Sequence, residues 1–192
     1  MPIHHRHFLL HKPYKYLSQF VNNQNKRRNK KLLGELHDFP EGIMSIGRLD
    51  ETSEGLLLLT TDGHESERVR SQKVDKEYYV QVDGIITQEA IDKMKSGITI
   101  SIYGKSYSTL PCKAALIDPP NFKTRIQKIR DAAHGPTSWA SITINEGKFR
   151  QVRKMTAVVG FPTLRLMRIR IGNIHIGDME AGEVLEVERF EL

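Results

Sequence analysis

The chain has 192 residues, of which 39% are hydrophobic and 27% are charged, so it is long enough to bury a core as one domain or two small lobes. Lys and Arg outnumber Asp and Glu by 29 to 23, and the formal net charge of +6 favours a polyanionic partner without requiring one. The apolar runs are far shorter than the roughly 20 residues that cross a membrane. We therefore expect no membrane segment.

The ends of the chain and its cysteine content suggest the compartment. The N-terminus lacks the longer apolar run and the small-residue cleavage site of a secretory signal. The single cysteine, Cys112, excludes an internal disulfide and a structural zinc site of the usual cysteine spacing. We expect a cytoplasmic protein.

The first third of the chain predicts strands separated by polar turns. Residues 8–14 indicate a strand that ends at Pro13, because proline has no amide hydrogen to continue a ladder. Residues 22–31 contain no apolar side chain and predict an exposed loop. Residues 45–63 predict a loop, a turn, a buried strand and an Asp-Gly turn.

The rest of the chain predicts more strands than helices. Short helices are expected at 64–72, at 87–96 with Thr87 as the cap, and at 149–159. Strands are expected at 77–83, 98–102, 139–146, 164–176 and 184–190. Residues 118–137 predict a long insertion between strands. This order predicts an α+β fold, a largely antiparallel mixed sheet with a few short helices.

A candidate catalytic carboxylate lies in the turn Gly47-Arg48-Leu49-Asp50. The hydrophobic strand that follows this turn would hold Asp50 rigidly. From the residues alone, a turn aspartate paired with Arg48 is the alternative, and it is the commoner arrangement.

Two other segments favour nucleic-acid chemistry. Tyr78 near the start of a strand could present its ring to a planar base, although a half-buried strand tyrosine is common. Residues 146–155 carry four cations at a turn-to-helix junction. Arg150 and Arg153 are three residues apart and would share one helix face, with a solvated basic helix as the alternative.

Together these segments resemble the RsuA/RluA-type pseudouridine synthases. The similarity is carried by Gly-Arg-Leu-Asp-Glu-Thr-Ser-Glu-Gly and the apolar run after it, and by the ordered stretches 11–14, 76–78 and 145–155. Four motifs in order are far more specific than any one of them. Residues 12–14, 136–139 and 160–166 look most like the subfamily that modifies large-subunit ribosomal RNA and lacks the S4 RNA-binding domain.

The resemblance implies one catalytic domain over residues 1–192, or two subdomains around a central RNA-binding cleft, that isomerises uridine. Asp50 is then the essential carboxylate, acting on the ribose as a nucleophile or as a base. Tyr78 is the base-stacking tyrosine, and Arg153 is the cation that favours an ionised Asp50. The residues expected to contact the RNA or the flipped uridine are Arg48, Leu49, Lys148, Arg150, Gln151 and Leu166.

An isomerisation involves no net redox change and no phosphoryl transfer, so we expect no cofactor and no metal. The sequence has neither a dinucleotide-binding glycine fingerprint nor a phosphate-binding loop. The expected partner is large-subunit ribosomal RNA, bound by a monomer. Two alternatives stay open: an inactive RNA-binding ribosome-assembly factor of the same fold, and a hydrolase with Asp50 as general base, which lacks an evident second catalytic group.

Overall fold

A computed structural model describes residues 4–21, 29–71, 73–122 and 129–192. These residues divide into two compact units. The first unit is drawn from Met1–Val74 and Met167–Leu192, and the second from Asp75–Leu166.

The strands in chain order are β1 (His7–Lys12), β2 (Tyr16–Leu17), β3 (Lys31–Leu32), β4 (Met44–Ile46), β5 (Glu54–Thr60), β6 (Lys76–Asp83), β7 (Thr99–Ile102), β8 (Lys105–Ser108), β9 (Lys113–Ile117), β10 (Thr137–Ile144), β11 (Thr163–Ile171), β12 (Ile174–His175) and β13 (Val184–Val187). The α-helices are α1 (Gly63–Ser71), α2 (Gln88–Lys95) and α3 (Gln151–Val158). Single 3₁₀ turns are formed by Leu33–Glu35 and Ala132–His134.

The first unit is built on β5, every residue of which is buried. β1 pairs antiparallel with β5 and places Phe8 opposite Leu59 and Leu10 opposite Leu57. These four side chains and Leu33 form a buried apolar cluster. Each such side chain contributes about 1.5–3 kcal/mol when it is removed from water, so the cluster anchors the strand that follows the Asp50 turn.

A close approach of two main chains occurs where β5 runs parallel to β11. Gly55 lies opposite Arg168, and a Cβ built on Gly55 would be 2.3 Å from the Arg168 carbonyl oxygen. The φ of Gly55 is +108°, a conformation that L side chains rarely adopt. Glycine is therefore required at this position of the motif.

The second unit contains an antiparallel sheet in which β10 lies between β6 and β9. Val80 on β6 and Ala140 on β10 face each other and are fully buried. α2 begins where predicted, since the Thr87 side chain accepts a hydrogen bond from the Ala90 amide at 3.2 Å. β7 and β8 form a separate two-stranded hairpin.

The predicted α+β class is confirmed: in the described part of the chain, three α-helices accompany a mixed sheet of mostly antiparallel strands. The strands that were not predicted are β2, β3, β4, β8 and β9. The single strand expected over 164–176 is interrupted, because Gly172 at φ +56° turns the chain between β11 and β12.

Two further expectations change, one about a loop and one about the start of a helix. In the stretch 22–31, Lys31 begins β3, whereas 22–28 lie outside the described residues. The helix expected over 149–159 begins only at Gln151, because Arg150 is its N-cap with a left-handed φ of +53°. The expectation that Arg150 and Arg153 share a helix face is therefore wrong.

Candidate active site

The loop that carries Asp50 connects β4 to β5 in the first unit, and its main chain is fixed on both sides of that residue. Before Asp50, the buried Ser18 hydroxyl accepts from the Leu49 amide at 2.9 Å and donates to the Leu49 carbonyl at 2.8 Å. After it, the Ser53 amide donates to the Asp50 carbonyl at 3.0 Å. The backbone on each side of the carboxylate is thus held in place.

The next residue, Glu51, ties the loop to other parts of the first unit. The Lys15 amide donates to the Glu51 carbonyl at 2.8 Å, and the Lys30 ammonium lies 2.5 Å from the Glu51 carboxylate. Both side chains of this ion pair are less than a quarter exposed. A partly buried pair is less screened by solvent than a surface pair, so it adds to the rigidity of the loop.

A fully buried lysine lies in the same unit as this loop. The Lys12 ammonium donates to the carbonyls of Pro13 at 2.9 Å and Tyr16 at 2.7 Å. Burial lowers the pKa of Lys12 to about 7, although the carboxylates of Glu54, Asp50 and Glu51 act in the opposite direction. Lys12 is therefore poised between its charged and neutral forms near neutral pH.

Arg48 and Leu49, the other predicted site residues of the first unit, differ in exposure. The Arg48 side chain is exposed. Leu49 is only 6% exposed, and its main chain is the part held by Ser18. The buried Leu49 therefore holds the turn in place through its packing and its main-chain hydrogen bonds.

Tyr78 and Leu166 are buried in the second unit, with 8% and 5% exposure. Tyr78 lies on β6 opposite Ile142 of β10, and Leu166 lies on β11. Tyr78 is more buried than the half-buried strand tyrosine considered from sequence. Its side chain therefore packs within the second unit.

Three more predicted residues of the second unit, Lys148, Arg150 and Gln151, lie in the turn before α3 and at the start of that helix. Gln151 is 3% exposed; its side chain donates to Glu146 at 2.5 Å and accepts from the Lys148 amide at 3.1 Å. The side chains of Lys148 and Arg150 are exposed. Gln151 therefore holds the turn, while the two cations on it face solvent.

Arg153 lies in the first turn of α3 and is partly buried. Its carbonyl accepts a hydrogen bond from the Thr156 hydroxyl at 3.1 Å. The packed residues of the same helix are Val152 and Met155. Arg153 thus has a fixed backbone position at the edge of the helix's buried face.

Sequence reasoning did not assign roles to Ser18 and Lys12. Lys12 belongs to the first motif, but its complete burial depends on tertiary packing. Ser18 precedes Leu49 by 31 residues, and no local pattern links the two. The presence of Lys12 before Pro13 in the first motif was the only local feature that could have drawn attention to Lys12.

The described part of the chain contains no group of three or more His, Cys, Asp or Glu side chains that could hold a metal ion. Within those same residues, no helix has the length and apolar character to span a membrane.

Comparison with known proteins gives concordant matches. A family model for RNA pseudouridylate synthase matches residues 6–158. The ribosomal large subunit pseudouridine synthase E of Vibrio parahaemolyticus is 39% identical over 184 residues, covering 94% of this chain and 73% of the relative. The protein of that name from Xanthomonas axonopodis pv. citri is 39% identical over 168 residues, covering 86% of this chain and 85% of the relative. A crystal structure of a pseudouridylate synthase aligns with a TM-score of 0.75 and 25% identity, covering 95% of this chain and 70% of that one.

Proposed function

Because the chain belongs to the RNA pseudouridylate synthase family, we propose that it converts a uridine of large-subunit ribosomal RNA into pseudouridine. The relatives quoted above are named as ribosomal large subunit enzymes and align over most of this chain. The observation that carries the proposal is the Asp50 loop. It lies within the family match, and its backbone is hydrogen-bonded on both sides of the carboxylate.

The proposed reaction breaks the bond between ribose C1′ and uracil N1 and forms a bond between C1′ and C5. The base must turn before the new bond forms. The proton on C5 is then lost and N1 gains one, so the product is an isomer of the substrate. The reaction consumes no redox equivalent and no nucleotide.

We assign to Asp50 the attack on the ribose, either as a nucleophile at C1′ or as a base that removes a sugar proton. Both roles need an ionised carboxylate in a fixed position. The hydrogen bonds to Leu49 and from Ser53 supply the fixed position. Arg153 is proposed as the cation that favours the ionised form.

Tyr78 is proposed to stack on the uracil while the base is detached and turning. Its burial limits the movement of the ring, which would limit the freedom of a base lying against it. Leu166 is proposed as an apolar neighbour that excludes water from the detached base. Such a base reacts productively only if it is retained until C5 faces C1′.

The target uridine has to leave its stack before C1′ can be reached. Exposed cations would grip the flanking phosphates in an RNA-binding cleft, and we propose Arg48, Lys148 and Arg150 for this role. Leu49 and Gln151 are buried and hold the two loops that carry these cations; we propose that they contact the flipped uridine from within the site. We further propose that the protein works as a monomer in the cytoplasm.

The test is conversion of one uridine in unmodified RNA. The protein is incubated with a full-length transcript of large-subunit ribosomal RNA, and with ribosomal RNA from cells that lack the gene. Carbodiimide adducts of pseudouridine are then mapped by primer extension. We expect one new stop, at the position that also loses its stop when the gene is deleted. A binding-only assembly factor would bind the RNA and produce no stop on either template.

A further inference from the structure

The hairpin of β7 and β8 displays an aromatic ring at its tip. Ile102 pairs with Lys105, so the turn consists of Tyr103 and Gly104. Tyr103 is 79% exposed. Its ring stacks on that of Phe149, with centroids 5.0 Å apart and planes 17° from parallel. Since Phe149 covers one face of the ring, the other face of Tyr103 is open to solvent.

The turn chemistry gives no reason for a tyrosine at this position. Tyr103 has φ +50° and Gly104 φ +79°, and two positive φ values are the mark of a type I′ hairpin turn, which favours Asn-Gly. A bulky side chain is disfavoured in the left-handed region. The Tyr103 ring is therefore exposed and stacked on Phe149 even though its left-handed backbone conformation is energetically unfavourable for a tyrosine.

Lysine side chains lie against the stacked pair and on the segments that carry it. The Lys154 ammonium lies 5.1 Å from the centroid of the Phe149 ring and donates to the Ser101 carbonyl of β7 at 2.6 Å. The Lys148 ammonium lies 5.0 Å from the centroid of the Tyr107 ring. Lys105, next to the turn, is exposed.

The carboxylate near this surface is already engaged. Glu146 accepts hydrogen bonds from the Tyr107 hydroxyl at 2.5 Å, the Leu110 amide at 3.0 Å and the Gln151 side chain at 2.5 Å. These bonds stabilise the carboxylate and hold it against the base of the hairpin. Lys105, Lys148 and Lys154 outnumber this carboxylate, so the surface is aromatic and has a net positive charge.

We infer that Tyr103 and Phe149 form a stacking platform for an unpaired nucleotide of the RNA substrate, with Lys105, Lys148 and Lys154 holding the adjoining phosphates. Open aromatic faces bind bases of any sequence, and neighbouring cations bind the backbone. Duplex RNA buries the faces of its bases, so the platform selects single-stranded segments. This inference rests on the proposed function, since it concerns recognition of the same RNA away from the reacting uridine.

The decisive variant is Tyr103→Asn, because asparagine is favoured in this turn and the fold should be retained or stabilised. Tyr103→Phe is the matched control that keeps the ring. Binding is measured by fluorescence anisotropy with a labelled 12-nucleotide oligouridylate and with an RNA duplex of the same length. We expect the Kd of Tyr103→Asn for the single strand to rise about five-fold or more, as the loss of one base stack predicts. Binding of the duplex should not change, and Tyr103→Phe should behave as the wild type.

The charge contribution is tested separately by Lys105→Ser, with Lys93→Ser on α2 as a control of equal charge change. Lys105→Ser should weaken single-strand binding and reduce its salt dependence, whereas Lys93→Ser should do neither. On the wild-type protein, photo-crosslinking with a 4-thiouridine-substituted oligonucleotide should label the peptide that contains Tyr103. This measurement does not depend on the folding of any variant.

Three results would overturn the inference: an unchanged Kd of Tyr103→Asn for oligouridylate, an equal loss of affinity for the duplex, or crosslinks confined to other peptides. Pseudouridine formation on the ribosomal RNA transcript is followed in parallel. For Tyr103→Asn we expect a raised KM at an unchanged kcat. If the wild type forms no pseudouridine at all, the proposed function fails, and the affinity comparison still decides the platform.

Discussion

Lys12 offers a test of how the first unit balances burial against charge. Its ammonium is fully buried, which disfavours the charged form, while the nearby carboxylates of Glu54, Asp50 and Glu51 favour it. Burial is the larger effect, and it lowers the pKa of Lys12 to about 7. Lys12→Met keeps most of the apolar stem and removes the titrating group.

The sign of the pH effect follows from proton binding. The unfolded chain keeps the Lys12 proton up to about pH 10.4, whereas the folded protein releases it near its pKa of about 7. Between these values the unfolded state binds more protons, so the free energy of unfolding rises with pH. For these two pKa values the Lys12 contribution increases by about 3 kcal/mol from pH 7 to pH 9.5 and is nearly constant below pH 6.

The assay is urea unfolding of the wild type and Lys12→Met at several pH values. Loss of the donor to the carbonyls of Pro13 and Tyr16 destabilises the variant by about 1–3 kcal/mol, and this cost does not depend on pH. The difference in unfolding free energy, wild type minus variant, should therefore grow by about 3 kcal/mol between pH 7 and pH 9.5. Other titrating groups are common to both proteins and cancel.

A difference that stays constant over this range would show that the pKa of Lys12 is not lowered in the folded protein. It would mean that the three carboxylates hold Lys12 charged in spite of its burial. Should Lys12→Met not fold, NMR titration of the Lys12 ε-methylene in the wild type reports the same pKa directly. A midpoint near pH 7 is expected, and one above pH 10 would contradict the account.

Three further predictions concern packing and the proposed site. Gly55→Ala should destabilise the protein by about 3 kcal/mol or more in urea unfolding, because its Cβ would lie 2.3 Å from the main chain of β11. Gly42→Ala is the control, since Gly42 also has a positive φ but no atom within 4 Å of a Cβ built there, and it should lose less stability. Equal losses of stability would mean that the contact with β11 does not determine the effect. Tyr78→Phe should fold and bind RNA as the wild type does, whereas Tyr78→Leu should form pseudouridine at least about ten-fold more slowly if the ring stacks on the base; a rate equal to that of Tyr78→Phe would exclude stacking. Arg153→Met should lower kcat with little change in RNA affinity, and Arg150→Met should weaken binding and flatten its salt dependence; exchanged phenotypes would mean that Arg150 has the catalytic role.

The strands of the core could be predicted because their patterns are local. The run of leucines at 56–59 indicates a strand buried on both faces, and the structure has all of β5 buried. The Thr87 cap and the apolar spacing after it gave α2. In contrast, β8 has no buried residue and β9 none either, so neither shows the alternation that identifies a strand.

The start of α3 shows how a local conformation can override a helical pattern. Residues 149–159 have helical spacing, but the left-handed Arg150 delays the helix to Gln151. The side chain of Gln151 then bonds back to Glu146 and to the Lys148 amide. These contacts involve residues within one turn, yet they depend on a backbone conformation that is rare for arginine.

The candidate site also combines features that are local in the sequence with contacts that depend on tertiary packing. The sequence identified the turn that carries Asp50, because a glycine-started turn before an apolar strand is a local feature. The bonds of Ser18 to Leu49 and the burial of Lys12 depend on tertiary packing. Such contacts link distant parts of the chain and leave no periodic trace in it.

The most direct test of the central claim is pseudouridine formation by Asp50→Asn on the ribosomal RNA transcript, at RNA concentrations that saturate binding. The substitution keeps the size of the side chain and removes its charge. RNA affinity should persist, since it rests on many phosphate contacts. Asp38→Asn, an exposed aspartate of the same unit, is the control for the change in charge. We expect no detectable pseudouridine from Asp50→Asn, whereas Asp38→Asn should match the wild type. Turnover by Asp50→Asn at the wild-type rate would show that Asp50 is not the catalytic carboxylate.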